Sequence, residues 1–228
     1  VRVVSYGRGE ALAGAERHVR IGNESHVAGC ARGTLDDGSG SYPVTLNVVG
    51  GHNLLNAAAA WAAGVELGQE PAAMAEALGS FVGTGRRFET TGTAYGVTVV
   101  DDYAHHPTEV AATLHAARER VGEGRVVVLF QPHLYSRTRN FATEFARALE
   151  LADVAVVTGV YAAREDPMEG VEGNLITDQM ASGVFIENRF AAADWVAEQA
   201  RDGDLVLTVG AGDVTELAPR ILERVADR

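Results

Sequence analysis

Lysine is absent from this chain: all 19 of its Lys and Arg residues are arginine. That excludes Schiff-base chemistry and a lysine general base. It also excludes a complete Walker A loop, whose lysine reaches the β- and γ-phosphates. Cysteine occurs once, at Cys30, so no internal disulfide can form, which fits a reducing compartment. No uninterrupted apolar run approaches the roughly 18 residues of a membrane span. The opening residues VRVVSYGRGE lack the basic region and apolar block of a secretory signal. The chain begins at Val1, without a methionine and without a phosphate-loop lysine. The expectation is therefore a piece of a longer, cytoplasmic protein.

Several catalytic spacings are missing as well. There is no H-x-x-x-H, no C-x-x-C and no G-x-S-x-G. His105 and His106 are adjacent, so in a strand or helix they cannot both face one ion, and no metal site is expected. The net charge of −12 disfavours long-range attraction of nucleic acid. What is present is a chain of 228 residues, 46% apolar, enough to bury a sizeable core.

Val1–Tyr6 reads as a short strand interrupted by Gly7 and Gly9. Residues 10–46 alternate weakly, and Asp36-Asp37-Gly38-Ser39-Gly40 reads as a turn between two edge strands. The alanine-rich run Asn53–Leu67 predicts a helix by propensity. Pro71 and Gly79 frame a second helix over Ala72–Leu78. FVGTGRR has the glycine content of a linker, which places a domain boundary near Arg87–Phe88. Residues 1–87 are expected to expose apolar edge surface and either to pair with a second copy, as a homodimer, or to be poorly ordered.

Beyond the boundary, strands are predicted at Phe88–Thr93, Val97–Val100, Val126–Phe130, Val154–Thr158, Val184–Glu187 and Leu205–Val209. Helices are predicted near 107–120, 140–151, 174–181, 191–200 and 213–226. Val110, Leu114, Ala117 and Val121 share one helical face, as do Phe141, Phe145 and Leu149. Continuous apolar strands alternating with helices predict an α/β fold, with a mainly parallel sheet covered on both faces.

Two strand-to-helix turns concentrate polar chemistry. In Val97–Val110, an apolar strand runs into Asp101, Asp102, Tyr103, His105 and His106 before Pro107 opens a helix. In FQPHLYSRTR, the strand ending at Phe130 is stopped by Gln131-Pro132 and followed by His133, Tyr135, Ser136, Arg137 and Arg139. The carboxyl end of such strands is where ligands bind in open α/β sheets. Each segment also reads as an ordinary capping loop. Arg137 offers a bidentate partner to a small carboxylate substrate.

Three further segments are weighed on the same terms. His52, Asn53 and Asn56 crowd the start of the alanine-rich helix, either as caps or as amide and imidazole contacts to a purine edge or phosphate. Arg86-Arg87 reads as a solvated linker pair or as a guanidinium delivered to a phosphate by a hinge. Gly210-Ala211-Gly212-Asp213 reads as a weak phosphate loop or a tight turn. YAAREDP, from Tyr161 to Pro167, is a rim candidate.

Taken together, GGHNLLNAAAA, GRRFE, DDYAHHPTEV and FQPHLYSRTR resemble the Mur ligases of bacterial cell-wall synthesis. The last two segments resemble the L-alanine-adding branch. The resemblance covers most of the chain, in the expected order. It implies that residues 1–87 are the C-terminal part of a P-loop-type central ATP-binding domain. It implies a Rossmann-like C-terminal domain over residues 88–228. The implied activity is ATP-dependent amide formation, joining L-alanine to UDP-N-acetylmuramate through an acyl phosphate, with this segment alone inactive.

ATP and Mg2+ are the implied cofactors, with the phosphate-loop lysine and the magnesium ligands upstream of Val1. By resemblance, His52, Asn53 and Asn56 are adenine-side contacts, Arg87 the γ-phosphate contact and Asp102 the ribose acceptor. Tyr103, His105, His133 and Arg137 form the amino-acid and intermediate site, with Arg137 on the L-alanine carboxylate. Leu134 departs from a common form of the motif, which has arginine there. The alternatives are a related ligase that recycles a murein tripeptide and a non-catalytic nucleotide-binding domain.

Overall fold

The computed structural model describes residues 2–27 and 30–228, which divide into two units, Val1–Gly83 and Thr84–Arg228. The division falls after Gly83, ahead of the expected Arg87–Phe88. The Arg86 carbonyl accepts a backbone hydrogen bond from Tyr103 at 2.7 Å, which ties the double arginine to the second unit.

In the first unit, β1 (Val4–Gly7), β2 (Arg17–Val27), β3 (Cys30–Asp36) and β4 (Ser41–Leu46) form a four-stranded sheet in that order. β1 runs parallel to β2, and the other pairs are antiparallel. The 36–40 turn joins β3 and β4 as predicted, with the Asp37 carboxylate accepting from the Ser39 and Gly40 amides. Only β4 of that hairpin is an edge; β3 is internal because the long strand β2 covers its other side. Helix α1 (Gly51–Glu66) lays Leu54, Ala58 and Trp61 against Val19, Leu35 and Val44 of the sheet. Trp61 is fully buried and donates its indole N–H to the Pro71 carbonyl at 2.9 Å. Helix α2 (Pro71–Leu78) starts on the expected proline, and Gly79 ends it. This unit therefore has a closed core of its own. Val3, Tyr6 and Leu12 are exposed near the β1 edge.

In the second unit, β5 (Glu89–Ala94) and β6 (Val97–Asp102) form an antiparallel pair joined through the Tyr95-Gly96 turn. β6 is followed by α3 (Pro107–Val121), β7 (Val126–Phe130), α4 (Tyr135–Leu149), β8 (Val154–Val157) and α5 (Asn174–Thr177). β9 (Val184–Phe185), α6 (Arg189–Gln199), β10 (Leu205–Val209) and α7 (Leu217–Ala226) complete it. A short 3-10 turn, Asp213–Glu216, leads into α7, where one helix was predicted.

The sheet order is β5-β6-β10-β7-β8-β9, parallel except for β5. Every residue of β7 and β10 is buried, as apolar strands covered on both faces require. Leu114, Phe145 and Ile176, from α3, α4 and α5, pack on one face. Ala193, Val196 and Ile221, from α6 and α7, pack on the other. β10 is inserted between β6 and β7. The neighbours β7 and β10 thus send the chain to opposite faces, which makes a topological switch point.

Candidate functional site

The predicted residues fall on two separate sets of elements, one in each unit. In the first unit, His52, Asn53 and Asn56 occupy the first turns of α1. No side chain caps this helix; Gly50, at φ 90°, precedes it in a conformation that glycine adopts freely. The Asn53 amide donates to the Val49 carbonyl at 2.7 Å and accepts from Asn56 at 3.2 Å. His52 and Asn56 are exposed.

In the second unit, the carboxyl ends of β6 and β7 bring Arg87, Asp102, Tyr103, His105, His133 and Arg137 into one neighbourhood. Asp101 and Asp102 are the last residues of β6, and both are buried. The Asp102 carboxylate accepts from the Phe88 amide at 2.8 Å, the Ala104 amide at 2.8 Å and the Thr113 hydroxyl at 3.0 Å. Burial raises its pKa, outweighing these bonds and the nearby Arg87 charge, which pull it down.

Two cations approach the Tyr103 ring, with the Arg86 guanidinium 4.9 Å and that of Arg87 5.6 Å from its centre. Arg87 makes no hydrogen bond or ion pair with any described residue. His105 meets the Tyr103 ring edge-on at 5.3 Å and the His133 ring at 5.9 Å. Its Nδ1 lies 3.0 Å from the Tyr103 carbonyl and 3.4 Å from the Glu109 carboxylate. The adjacent histidines therefore divide their work. His106 is the N-cap of α3 and takes part in a capping box with Glu109, and its ring packs edge-on against Phe141.

α4 begins at Tyr135, about a turn and a half before the predicted start near residue 140, and non-helical angles at Phe141 mark the kink where the expected helix takes over. Arg137 consequently lies on a helical turn instead of in a loop. Its guanidinium donates to His133 Nδ1 at 3.4 Å, its one hydrogen bond to a described residue. Burial lowers the His133 pKa, with the Arg137 charge and His105 adding to the effect. A neutral imidazole accepting at Nδ1 carries its proton on Nε2.

Sequence reasoning gave too little weight to Tyr161 and Glu165. The Tyr161 ring stacks on His133 at 5.7 Å and 15°, and Glu165 accepts from the Ser136 amide and hydroxyl at the start of α4. The signal was available: both follow β8 at the same carboxyl edge. Tyr161 also lines a cleft of about 620 Å³ with Gln131, Glu187, Arg189 and Asp213.

The glycines at 210 and 212 make room for Gln131. A Cβ on Gly212 would come within 2.5 Å of Gln131 Oε1 and 2.6 Å of the Tyr161 ring. Gln131 donates to Asp213 at 2.7 Å and accepts from the Val214 amide at 3.1 Å, so a side chain fills this turn. Among the described residues, no group of three or more His, Cys, Asp or Glu side chains is placed to hold a metal ion. Among them, too, no helix is long and apolar enough to cross a membrane.

The second unit is thus an α/β domain with a mainly parallel sheet and with aromatic, imidazole and guanidinium groups gathered at its carboxyl edge. The chain belongs to the Mur ligase family: residues 86–212 match the family described as "Mur ligase, glutamate ligase domain". It is 58% identical over 184 residues to a UDP-N-acetylmuramate–L-alanine ligase of Paenarthrobacter aurescens (strain TC1), covering 81% of this chain and 40% of the relative. It is 53% identical over 232 residues to the ligase of that name from Kineococcus radiotolerans, covering 100% of this chain and 48% of the relative. The crystal structure of the alanine ligase MurC from Thermotoga maritima matches with a TM-score of 0.74 at 29% identity, over 93% of this chain and 48% of that one. The chain thus spans about half the length of the relatives it matches.

Proposed function

We propose that this chain contributes the amino-acid side of an ATP-dependent ligase that joins L-alanine to UDP-N-acetylmuramate. The observation that carries the reading is the pair of guanidiniums, Arg87 and Arg137, beside the Tyr103–His105–His133 cluster, neither of which makes a hydrogen bond or direct ion pair with a carboxylate of a described residue. Guanidiniums without a direct ion pair at a carboxyl sheet edge suit anionic ligands. Relatives that align across this chain and bear the name of that ligase support the choice of substrates over a murein tripeptide.

ATP, when bound, supplies the phosphoryl group that activates the muramoyl carboxylate. In this reading, Arg87 holds the phosphate. Arg137 holds the L-alanine carboxylate and so aims the amine. His133, neutral and with Nδ1 engaged by Arg137, borders the path of the attacking amine together with His105. Catalysis is then mainly positioning and charge neutralisation. Asp102 retains one acceptor position, on Oδ2, for a ribose hydroxyl. His52, Asn53 and Asn56 are the adenine-side contacts. The reading implies a cytoplasmic setting, where ATP is available.

The test is turnover. A ligase of the relatives' full length carrying these residues should release phosphate only with ATP, UDP-N-acetylmuramate and L-alanine all present. Arg137→Ala should raise the KM for L-alanine at least tenfold and leave that for ATP near its original value. The 228-residue chain alone, which has no lysine, should release none. Preference for a tripeptide acceptor, or robust turnover by the chain alone, would overturn the reading.

A further inference from the structure

Arg86 stands next to the proposed phosphate contact, yet its own guanidinium is held by protein groups on two of its nitrogens. Its Nε donates to Asp101 Oδ2 at 2.9 Å, and Nη2 donates to the Gly210 carbonyl at 2.7 Å. Asp101 is in turn held from both sides. Thr208 donates to its Oδ1 at 2.7 Å and Thr215 to its Oδ2 at 2.9 Å. The Asp101 side chain is 6% exposed and that of Arg86 25%, so a buried carboxylate is paired here with a half-buried guanidinium.

The backbone around Arg86 is unusual. Arg86 has φ 58° and Phe88 has φ 54°, the left-handed region that residues with a Cβ avoid. Such a conformation persists only where the surroundings over-determine it. Here four anchors do so. The Arg86 amide donates to Glu89 at 2.7 Å, its carbonyl accepts from Tyr103, its side chain is clamped to Asp101 and Gly210, and the Phe88 amide donates to Asp102. The residue left between the two strained positions is Arg87, whose guanidinium lies over the Tyr103 ring and makes no hydrogen bond or ion pair with a described residue.

We propose that Arg86 is a positioning residue: its clamp to Asp101 and the Gly210 carbonyl locks the 86–88 turn and aims the Arg87 guanidinium into the Tyr103–His105 cluster. The double arginine is thus one structural cation and one free cation. Arg86 acts through Arg87 and touches no reacting atom. The link from Arg87 to a phosphate rests on the proposed function, whereas the aiming of Arg87 does not.

Two measurements separate these layers. In the 228-residue chain, nuclear Overhauser contacts between the Arg87 side chain and the Tyr103 ring should be strong. They should vanish in Arg86→Gln and weaken in the milder Thr215→Val, which loosens Asp101 even if the first variant fails to fold. Contacts that persist in folded Arg86→Gln, or at full strength in Thr215→Val, would overturn the proposal. In a full-length ligase, Arg86→Gln should lower kcat at least tenfold. That loss should disappear when Arg87 is already alanine, and Arg86→Lys should recover part of it. Independent, additive losses would mark Arg86 as merely structural and sink the proposal. If Arg87→Ala leaves turnover intact, the phosphate reading falls, while lost ring contacts in the first experiment still establish the positioning role.

Discussion

The ring of His133 lies flat against that of Tyr161, 15° from parallel with centroids 5.7 Å apart, although the two residues belong to different loops. The backbones are joined at the same place: Tyr161 donates to the Pro132 carbonyl at 2.8 Å, and Leu134 donates to the Tyr161 carbonyl at 2.9 Å. The loop after β8 therefore fixes the orientation of the histidine that follows β7.

Removing the stacked ring should loosen His133 without disturbing the nucleotide side. An aromatic pair is worth about 0.5–1.5 kcal/mol, or roughly two- to tenfold in an equilibrium. Tyr161→Ala in a full-length ligase is expected to raise the KM for L-alanine by about that factor, with the KM for ATP unchanged. Tyr161→Phe, which keeps the ring, should behave as the parent. Steady-state kinetics with each substrate varied in turn decides the matter.

His133 also sets a pH dependence of stability. Its pKa in the folded chain lies below the ordinary 6.5, because burial and the Arg137 charge oppose protonation. As pH falls through 6.5, the unfolded chain gains a proton that the native state resists, so stability falls. The decline ends once native His133 also takes up its proton. Above that window His133 contributes no slope. Urea unfolding between pH 5 and pH 8 should show this decline, and His133→Gln should flatten it relative to the parent.

Gly212 is required by the close approach of Gln131 and Tyr161. A methyl group there would meet both, and neither can withdraw freely, because Gln131 is hydrogen-bonded to Asp213 and Val214 and Tyr161 is stacked on His133. Gly212→Ala is expected to cost about 1–3 kcal/mol by overpacking. Chemical denaturation of the second unit's transition measures it.

The first unit's core turns on Trp61, which is fully buried and hydrogen-bonded to the Pro71 carbonyl. Trp61→Ala should destabilise that unit by about 3–5 kcal/mol. Hydrogen exchange should show the loss in the amides of β2, β3 and α1.

Much of the architecture was legible residue by residue. Val126–Phe130 and Leu205–Val209 are apolar runs too short for helices, and both are strands buried on two faces. Pro71 and Pro107 open helices as their fixed φ dictates. The polar residues after β6 and β7 were recognisable as site candidates because acids, imidazoles and guanidiniums followed apolar strands at once. Less legible were the start of α4, where Leu134 at φ 73° redirects the chain into an early helical turn, and the role of Tyr161, whose partner lies 28 positions away.

The sequence by itself determined the elements, because periodicity, proline and glycine act over a few residues. It also determined which residue types arrive at the sheet's edge. Only the tertiary structure decided what each does there. Insertion of β10 between β6 and β7 brings Thr208 and Gly210 beside Asp101 and Arg86. That contact makes one arginine a clamp and leaves the next free. It joins residues more than a hundred positions apart, and strand order leaves no trace in local periodicity.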